Sequence, residues 1–270
     1  MADSFFMPTY KITISYDGTN YCGWQTQDSR QSSVISHQKK TIQSELEKAL
    51  NKIFKKEIKI EGSGRTDAGV HALAQVAHFK TDKSFDVLKL KNALNANLPR
   101  DVYCLSVEVA EDGFHARFCA RKKTYRYLIV NCADRPLFIK NFAAWVKDPL
   151  DIKKMRLASR CLVGKHDFKS FQASDRIDRR SETTVFSIKI KKSISNYELP
   201  FIYGLIWIII EISASGFLRN MVRNVAGTLI EVGRGRIKPE EIKSILKNKD
   251  RKHGGPCAPA YGLYLIDVSY

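Results

Sequence analysis

"IKIEGSGRTDAGVHALAQVAHF" (Ile58–Phe79) sets two apolar runs, Ile58/Ile60 and Val76–Phe79, on either side of a long connection. A hairpin between two strands normally needs two to five residues there. This connection instead carries Gly62, Gly64 and Gly69, the closely spaced Arg65 and Asp67, and His71. The runs themselves predict strands near 57–61 and 75–80. Outward on the N-terminal side, Ile42, Leu46, Ala49/Leu50 and Ile53 recur at three- and four-residue steps, the apolar stripe of a helix. Beyond them Tyr10, Ile12, Ile14 and Tyr16 alternate with Lys11, Thr13 and Ser15, as a half-buried strand does. Outward on the C-terminal side, a helix near 86–97 closes before Pro99 and a strand follows at 102–109. The order is β-α-β-β-α-β.

The rest of the chain repeats that rhythm without a visible sequence repeat. A strand at 124–131 leads to a helix near 150–163, strands near 183–192 and 204–213, a helix from about 217 to 232, and a last strand at 262–268. An extra helix starts at Pro239, where proline suits the first turn. The prediction is an α+β protein of two split-βαβ halves of the ferredoxin-like or RNA-recognition type. Residues 1–110 form the half with the glycine-rich loop and residues 111–270 the second half. The halves are expected to join through a mixed, mainly antiparallel sheet with helices on one face.

Charge separates the halves further. Residues 1–110 hold 15 Lys/Arg against 12 Asp/Glu, and residues 111–270 hold 30 against 16, within a net charge of +17. Such a concentration points to a polyanionic partner. A lipid surface is disfavoured, because the most apolar run, "FIYGLIWIII" (Phe201–Ile210), stops at Glu211, well short of the roughly 20 residues a spanning helix needs. Its β-branched residues suit a buried strand. No basic start followed by an apolar core marks a secretory signal. The six cysteines are scattered without a CxxC pair, as in a reduced, cytoplasmic protein without a zinc site.

Three segments carry possible chemistry. In the loop, a turn can bring Arg65 and Asp67 over one cleft, and a nearby cation keeps a partly desolvated carboxylate ionised and usable as nucleophile or base. The competing role is an aspartate that fastens the turn through its own backbone. The loop matches neither a dinucleotide fingerprint nor a phosphate-binding loop. His71 and His78 have no carboxylate or cysteine at ligand spacing, so no metal is expected.

"RFCARKKTYRY" (Arg117–Tyr127) interleaves five basic residues with Phe118, Tyr125 and Tyr127. On a strand Tyr125 and Tyr127 share a face, which suits either base stacking or a core position. In "GFLRNMVRNVAG" (Gly216–Gly227), Phe217, Met221, Val225 and Leu229 predict a buried helical stripe, with Arg219 and Arg223 projecting together from one side. Arginine beside a packed helix face calls for a carboxylate or phosphate.

Taken together, "YDGTNYCGWQ" (Tyr16–Gln25), "GRTDAGVHA" (Gly64–Ala72), "HARF" (His115–Phe118), "KTYRY" (Lys123–Tyr127), "MVRNVAG" (Met221–Gly227) and "GLYL" (Gly262–Leu265) resemble the TruA family of tRNA pseudouridine synthases, in order and across essentially the whole chain. The resemblance implies the pseudouridine synthase fold. It further implies isomerisation of uridine to pseudouridine at positions 38, 39 and 40 of the tRNA anticodon stem-loop. It carries over Asp67 as the catalytic nucleophile, Tyr125 as the ring stacking on the target uracil, Arg65 beside the flipped nucleotide, and Arg223 as the ion-pair partner of Asp67. It implies tRNA as substrate, a homodimer, and neither metal nor organic cofactor. Thr26 stands where the family commonly has arginine, and the segments 28–40 and 173–184 depart from its pattern. A non-catalytic RNA-binding or chaperone protein is the alternative, in which the Asp67 loop is architectural. It lacks support from any aromatic-rich strand motif of the RNA-recognition type.

Overall fold

The structure, a computed structural model, describes residues 7–25, 40–173, 181–195 and 204–270. Thr26, nearly all of the 28–40 segment and the middle of 173–184 lie outside the described residues. The chain divides into two compact units, Met1–Arg121 with Leu265–Tyr270, and Lys122–Tyr264.

In the first unit β1 (Thr9–Tyr16) is followed by α1 (Ile42–Phe54), β2 (Glu61–Gly62), β3 (His71–Lys80), α2 (Val87–Asn97) and β4 (Val102–Val109). β1 lies between β3 and β4, antiparallel to both. The alternation in β1 works as expected: Tyr10, Ile12, Ile14 and Tyr16 are buried. Thr41 starts α1 with a reciprocal cap, its hydroxyl accepting the Ser44 N–H while Ser44 Oγ accepts the Thr41 N–H. Such a box satisfies two of the amides a helix start leaves unpaired. The buried stripe of α1 ends on Phe54, which meets Phe79 edge-on at 5.8 Å, and Phe79 in turn stacks on Tyr10 at 5.4 Å.

The strand expected at 57–61 is largely replaced. Of that stretch and its neighbour, Glu61 and Gly62 alone pair with β3. Before them the Ile58 amide donates to Asn51 Oδ1 at 2.6 Å and the Ile60 amide to Glu47 Oε1 at 3.3 Å. Helix side chains satisfy these amides, so no partner strand is needed.

In the second unit β5 (Lys122–Asn131) is followed by β6 (Ala144–Val146), α3 (Ile152–Arg160), β7 (Gly164–Asp167), β8 (Glu182–Ile194), β9 (Ile206–Ala214), α4 (Met221–Gly233) and α5 (Glu241–Asn248). The strand order is β5-β9-β8-β7, antiparallel throughout, with β6 parallel to β5. The sheet is therefore mixed but mainly antiparallel, with helices on one face. Ile208 and Ile210 of the apolar run, and Ile212 beyond Glu211, are buried in β9; Phe201–Tyr203 lie outside the described residues. β6 and β7 are too short to show periodicity in the sequence. The last strand, β10 (Leu263–Ser269), carries the chain from the second unit back to the first, where it lies beside β3.

The helix expected from 217 starts at Met221 instead. Asn220 has φ 60, in the left-handed region, and the Met221 amide closes a turn on Leu218 O at 3.0 Å. Phe217 therefore leaves the helical stripe, while Met221, Val225 and Leu229 remain in it, all buried. Arg219 also lies outside the helix, so it does not share a helical face with Arg223. No helix among the described residues is long and apolar enough to cross a membrane.

Candidate active site

The loop between β2 and β3 is held from below by buried polar side chains. Gln75, completely buried in β3, donates from Nε2 to Gly64 O at 2.9 Å and accepts the Ser63 hydroxyl on Oε1 at 2.7 Å. Ser63 N donates to Val76 O at 2.7 Å. Tyr16 Oη and Thr66 Oγ1 share a buried hydrogen bond of 2.8 Å. Burial pushes the Tyr16 phenol far above its ordinary pKa, against the hydrogen bonds with Thr66 and Gln75. The hydroxyl stays protonated and serves as a fixed hydrogen-bonding post. Thr66 O accepts the Trp24 amide at 3.0 Å, which ties the loop to the "YDGTNYCGWQ" segment.

Asp67 follows that anchored residue directly. It begins a turn closed by the main chain, with the Val70 amide donating to Asp67 O at 3.2 Å. Gly69 has φ 76, the value that the third residue of a type II turn requires. Asp67 is half-buried and Arg65 is exposed. His71 is buried at the head of β3, its Nδ1 3.1 Å from the Gly18 amide nitrogen.

In the second unit Tyr125 and Tyr127 face the same side of β5 and both are buried. Tyr125 lies edge-on to Phe217 at 5.0 Å, 86° between planes. Tyr127 Oη donates to Pro259 O at 2.8 Å. Burial raises the Tyr127 phenol, with the positive charge of Arg223 working against it. The Arg223 guanidinium is held on two sides, from Nε to Ala258 O at 2.8 Å and from Nη1 to Asn220 Oδ1 at 3.0 Å. The strained Asn220 thus both ends the turn before α4 and orients the arginine. Behind it α4 runs against the Gly254–Pro259 segment so closely that a Cβ on Gly227 would stand 1.7 Å from Pro256 O. Among the basic residues of 117–127, Arg126 is engaged by Glu211 across β5 and β9, at 2.6 Å from Nη2.

Sequence reasoning missed three kinds of residue here. Gln75 and Tyr16 are the supports of the loop; the available signal was a lone amide inside the apolar strand "ALAQVAHF". Asn220 gave no signal. The third is a cluster of Glu61, His78 and His115, whose donor atoms lie within 4.8 Å of one another. The pairing of Glu61 opposite His78 in β2 and β3 supplies the carboxylate that spacing along the chain did not show. Backbone amides occupy one nitrogen of each ring: His78 Nδ1 accepts Ala116 N–H at 3.3 Å, and His115 Nδ1 accepts Arg117 N–H at 3.1 Å. The His115 proton therefore sits on Nε2, which faces Glu61 Oε2 at 3.2 Å. A metal on that Nε2 would force the proton onto Nδ1, against an amide N–H.

Comparison with known proteins gives one consistent result. A family model described as tRNA pseudouridine synthase matches residues 12–119 and 158–270. The chain is 45% identical over 263 residues to tRNA pseudouridine synthase A 2 of Clostridium tetani (strain Massachusetts / E88), covering 96% of this chain and 98% of that one. It is 43% identical over 265 residues to tRNA pseudouridine synthase A 2 of Clostridium perfringens (strain 13 / Type A), covering 98% and 100%. With tRNA pseudouridine synthase A of Bacillus velezensis (strain DSM 23117 / BGSC 10A6 / LMG 26770 / FZB42) it shares 41% identity over 262 residues, covering 96% and 98%.

Proposed function

Because the chain belongs to the TruA family of tRNA pseudouridine synthases and is an isomerase acting on tRNA, we propose that it converts uridine to pseudouridine at positions 38, 39 and 40 of the anticodon stem-loop, with Asp67 as its catalytic carboxylate. The observation that carries this reading is the setting of Asp67: half-buried, next to a residue anchored by a buried hydrogen bond, at the head of a turn with a main-chain hydrogen bond across it.

The reaction needs little else. The C1′–N1 bond breaks, the uracil turns while held, and C5 bonds to C1′; the proton lost from C5 is balanced by one gained at N1. Nothing is oxidised, and no group enters or leaves. Asp67 supplies the electron pair that starts the exchange. A base inside a stem must first be extruded, at a cost of a few kcal/mol. Arg65, exposed beside Asp67, takes the vacated space, and Tyr125 stacks on the extruded uracil. Arg223 supplies the counter-charge that keeps Asp67 ionised. The remaining basic residues hold phosphates, which orients the RNA without reading its sequence. The working unit is a cytoplasmic homodimer with no metal or organic cofactor.

The test is tritium release from tRNA labelled at uridine C5, measured beside a filter-binding titration. Asp67→Asn is expected to bind unmodified tRNA within about two-fold of wild type, since phosphate contacts dominate affinity, and to release no tritium. Wild-type turnover in that variant would remove Asp67 from the mechanism. Mapping pseudouridine in tRNA from cells without the protein checks the three positions.

A further inference from the structure

His115 organises the residues that follow it, on the way from β4 to β5, into a compact knot. Its Nδ1 accepts the amides of Arg117 at 3.1 Å and Phe118 at 3.4 Å, its carbonyl accepts the Cys119 amide at 3.0 Å, and its own amide donates to Cys119 Sγ at 3.3 Å. The ring is fixed at its other nitrogen by Glu61 and lies 4.6 Å from the buried His78 ring. On its outer side the Phe118 ring lies 4.2 Å away, tilted by 38°.

Phe118 is 75% exposed, yet it is held. A single exposed aromatic ring is ordinary on a protein surface. One seated on a ring that is itself pinned at both nitrogens is pre-oriented, so little side-chain freedom is lost when something stacks on it. The Arg117 guanidinium carbon stands 5.7 Å from the Phe118 centroid. From Arg117 to Lys123 the chain has four basic residues and no acidic one. A flat ring inside a positive stretch fits a planar group carried on a polyanion, not an apolar protein surface, which charged residues at its centre would disfavour.

We infer that the His78–His115–Phe118 ring series is a preformed platform on which an unpaired base of the RNA substrate stacks, separate from the ring that receives the target uracil. The inference rests on the reading of this protein as a tRNA-modifying enzyme and adds a binding residue to it. It also accounts for the Glu61–His78–His115 cluster, which holds the platform ring in one tautomer and one orientation.

The experiment compares wild type, Phe118→Leu, Phe118→Trp and Arg117→Ala in filter binding to an unmodified tRNA transcript and to a fully paired RNA duplex. Stacking on one ring predicts that Phe118→Leu weakens transcript binding about ten-fold, and that Phe118→Trp restores it to within about two-fold. The duplex, which offers no unpaired base, should lose less than about two-fold. The log–log salt slope should be unchanged in Phe118→Leu and reduced by about 0.7–0.9 in Arg117→Ala, because only the latter removes a charge. Unchanged transcript affinity in Phe118→Leu, an equal loss on the duplex, or a loss that accompanies a shift in sedimentation to a smaller species would overturn the platform. In each of those cases a wild-type protein that still forms pseudouridine leaves the enzymatic reading standing. A wild type that neither binds nor modifies tRNA removes both.

Discussion

Asp67 and Arg223 are held in opposite ways. The loop that carries Asp67 is fixed by other residues: Gln75, Ser63 and Tyr16 bond to Gly64, to each other and to Thr66, and Asp67 inherits its place from that backbone. Arg223 is fixed by its own side chain, through Ala258 O and Asn220 Oδ1, on a helix packed tightly at Gly227. In the first region the supports should be separable by mutation from the proposed catalytic carboxylate. In the second, the proposed role and the support reside in the same guanidinium.

The sharpest break in that comparison is Arg223→Ala. Removing a preorganised charge of this kind is worth about 10²–10³ in kcat, and that loss is expected in the tritium assay with a much smaller change in tRNA affinity. Arg223→Lys should rescue little, because lysine cannot reproduce a two-sided donor set. Activity within a few-fold of wild type in Arg223→Ala would end its assignment.

Next comes stability, read by thermal or urea denaturation. Gly227→Ala places a methyl group against Pro256 O and should destabilise by about 2–4 kcal/mol, in the range of overpacked sites. Gly69→Ala, which strains a turn at positive φ, should lose about 1–2 kcal/mol. A reversed order would mean that the loop, not the helix, is the tighter region.

Tyr16→Phe tests whether the supports act on chemistry. Loss of one buried hydrogen-bonding partner should destabilise by about 1–2 kcal/mol. A positioning role predicts in addition that kcat falls about ten-fold while KM stays within about two-fold, an interaction felt mainly in the transition state. An unchanged kcat would leave the Tyr16–Thr66 bond purely structural.

The smallest effect is alkaline. Tyr16 and Tyr127 both have phenols raised by burial, so the unfolded chain loses those protons first, near pH 10. The folded state then binds more protons than the unfolded one, and stability falls as pH rises above about 10. Equilibrium unfolding between pH 8 and 11 should show that decline, less steeply in Tyr16→Phe. A flat profile would contradict the burial of both hydroxyls.

Much of the fold was legible. Alternation in Tyr10–Tyr16 and the stripe of Ile42, Leu46 and Leu50 reported their faces directly, because burying one side of a strand or helix imposes its period on the sequence. Reading failed where a side chain took over a backbone partner or where one residue's backbone left the helical region. Asn51 and Glu47 bond to the amides of Ile58 and Ile60, and Asn220 turns the chain before α4, so apolar spacing at 57–61 and 217–220 gave the wrong element or boundary.

The candidate site divides along the same line. By itself the chain determined which loop is unusual, where positive charge gathers, and that Asp67, Arg65, Tyr125 and Arg223 sit in segments resembling one enzyme family, since chemistry demands particular residue types. Only tertiary structure decided that Gln75 and Tyr16 brace the loop, that Asn220 steers Arg223, and that Glu61 and His78 meet His115 beneath Phe118. Those partners lie on different elements, and distance along a chain carries no information about hydrogen bonds that form only when strands pair.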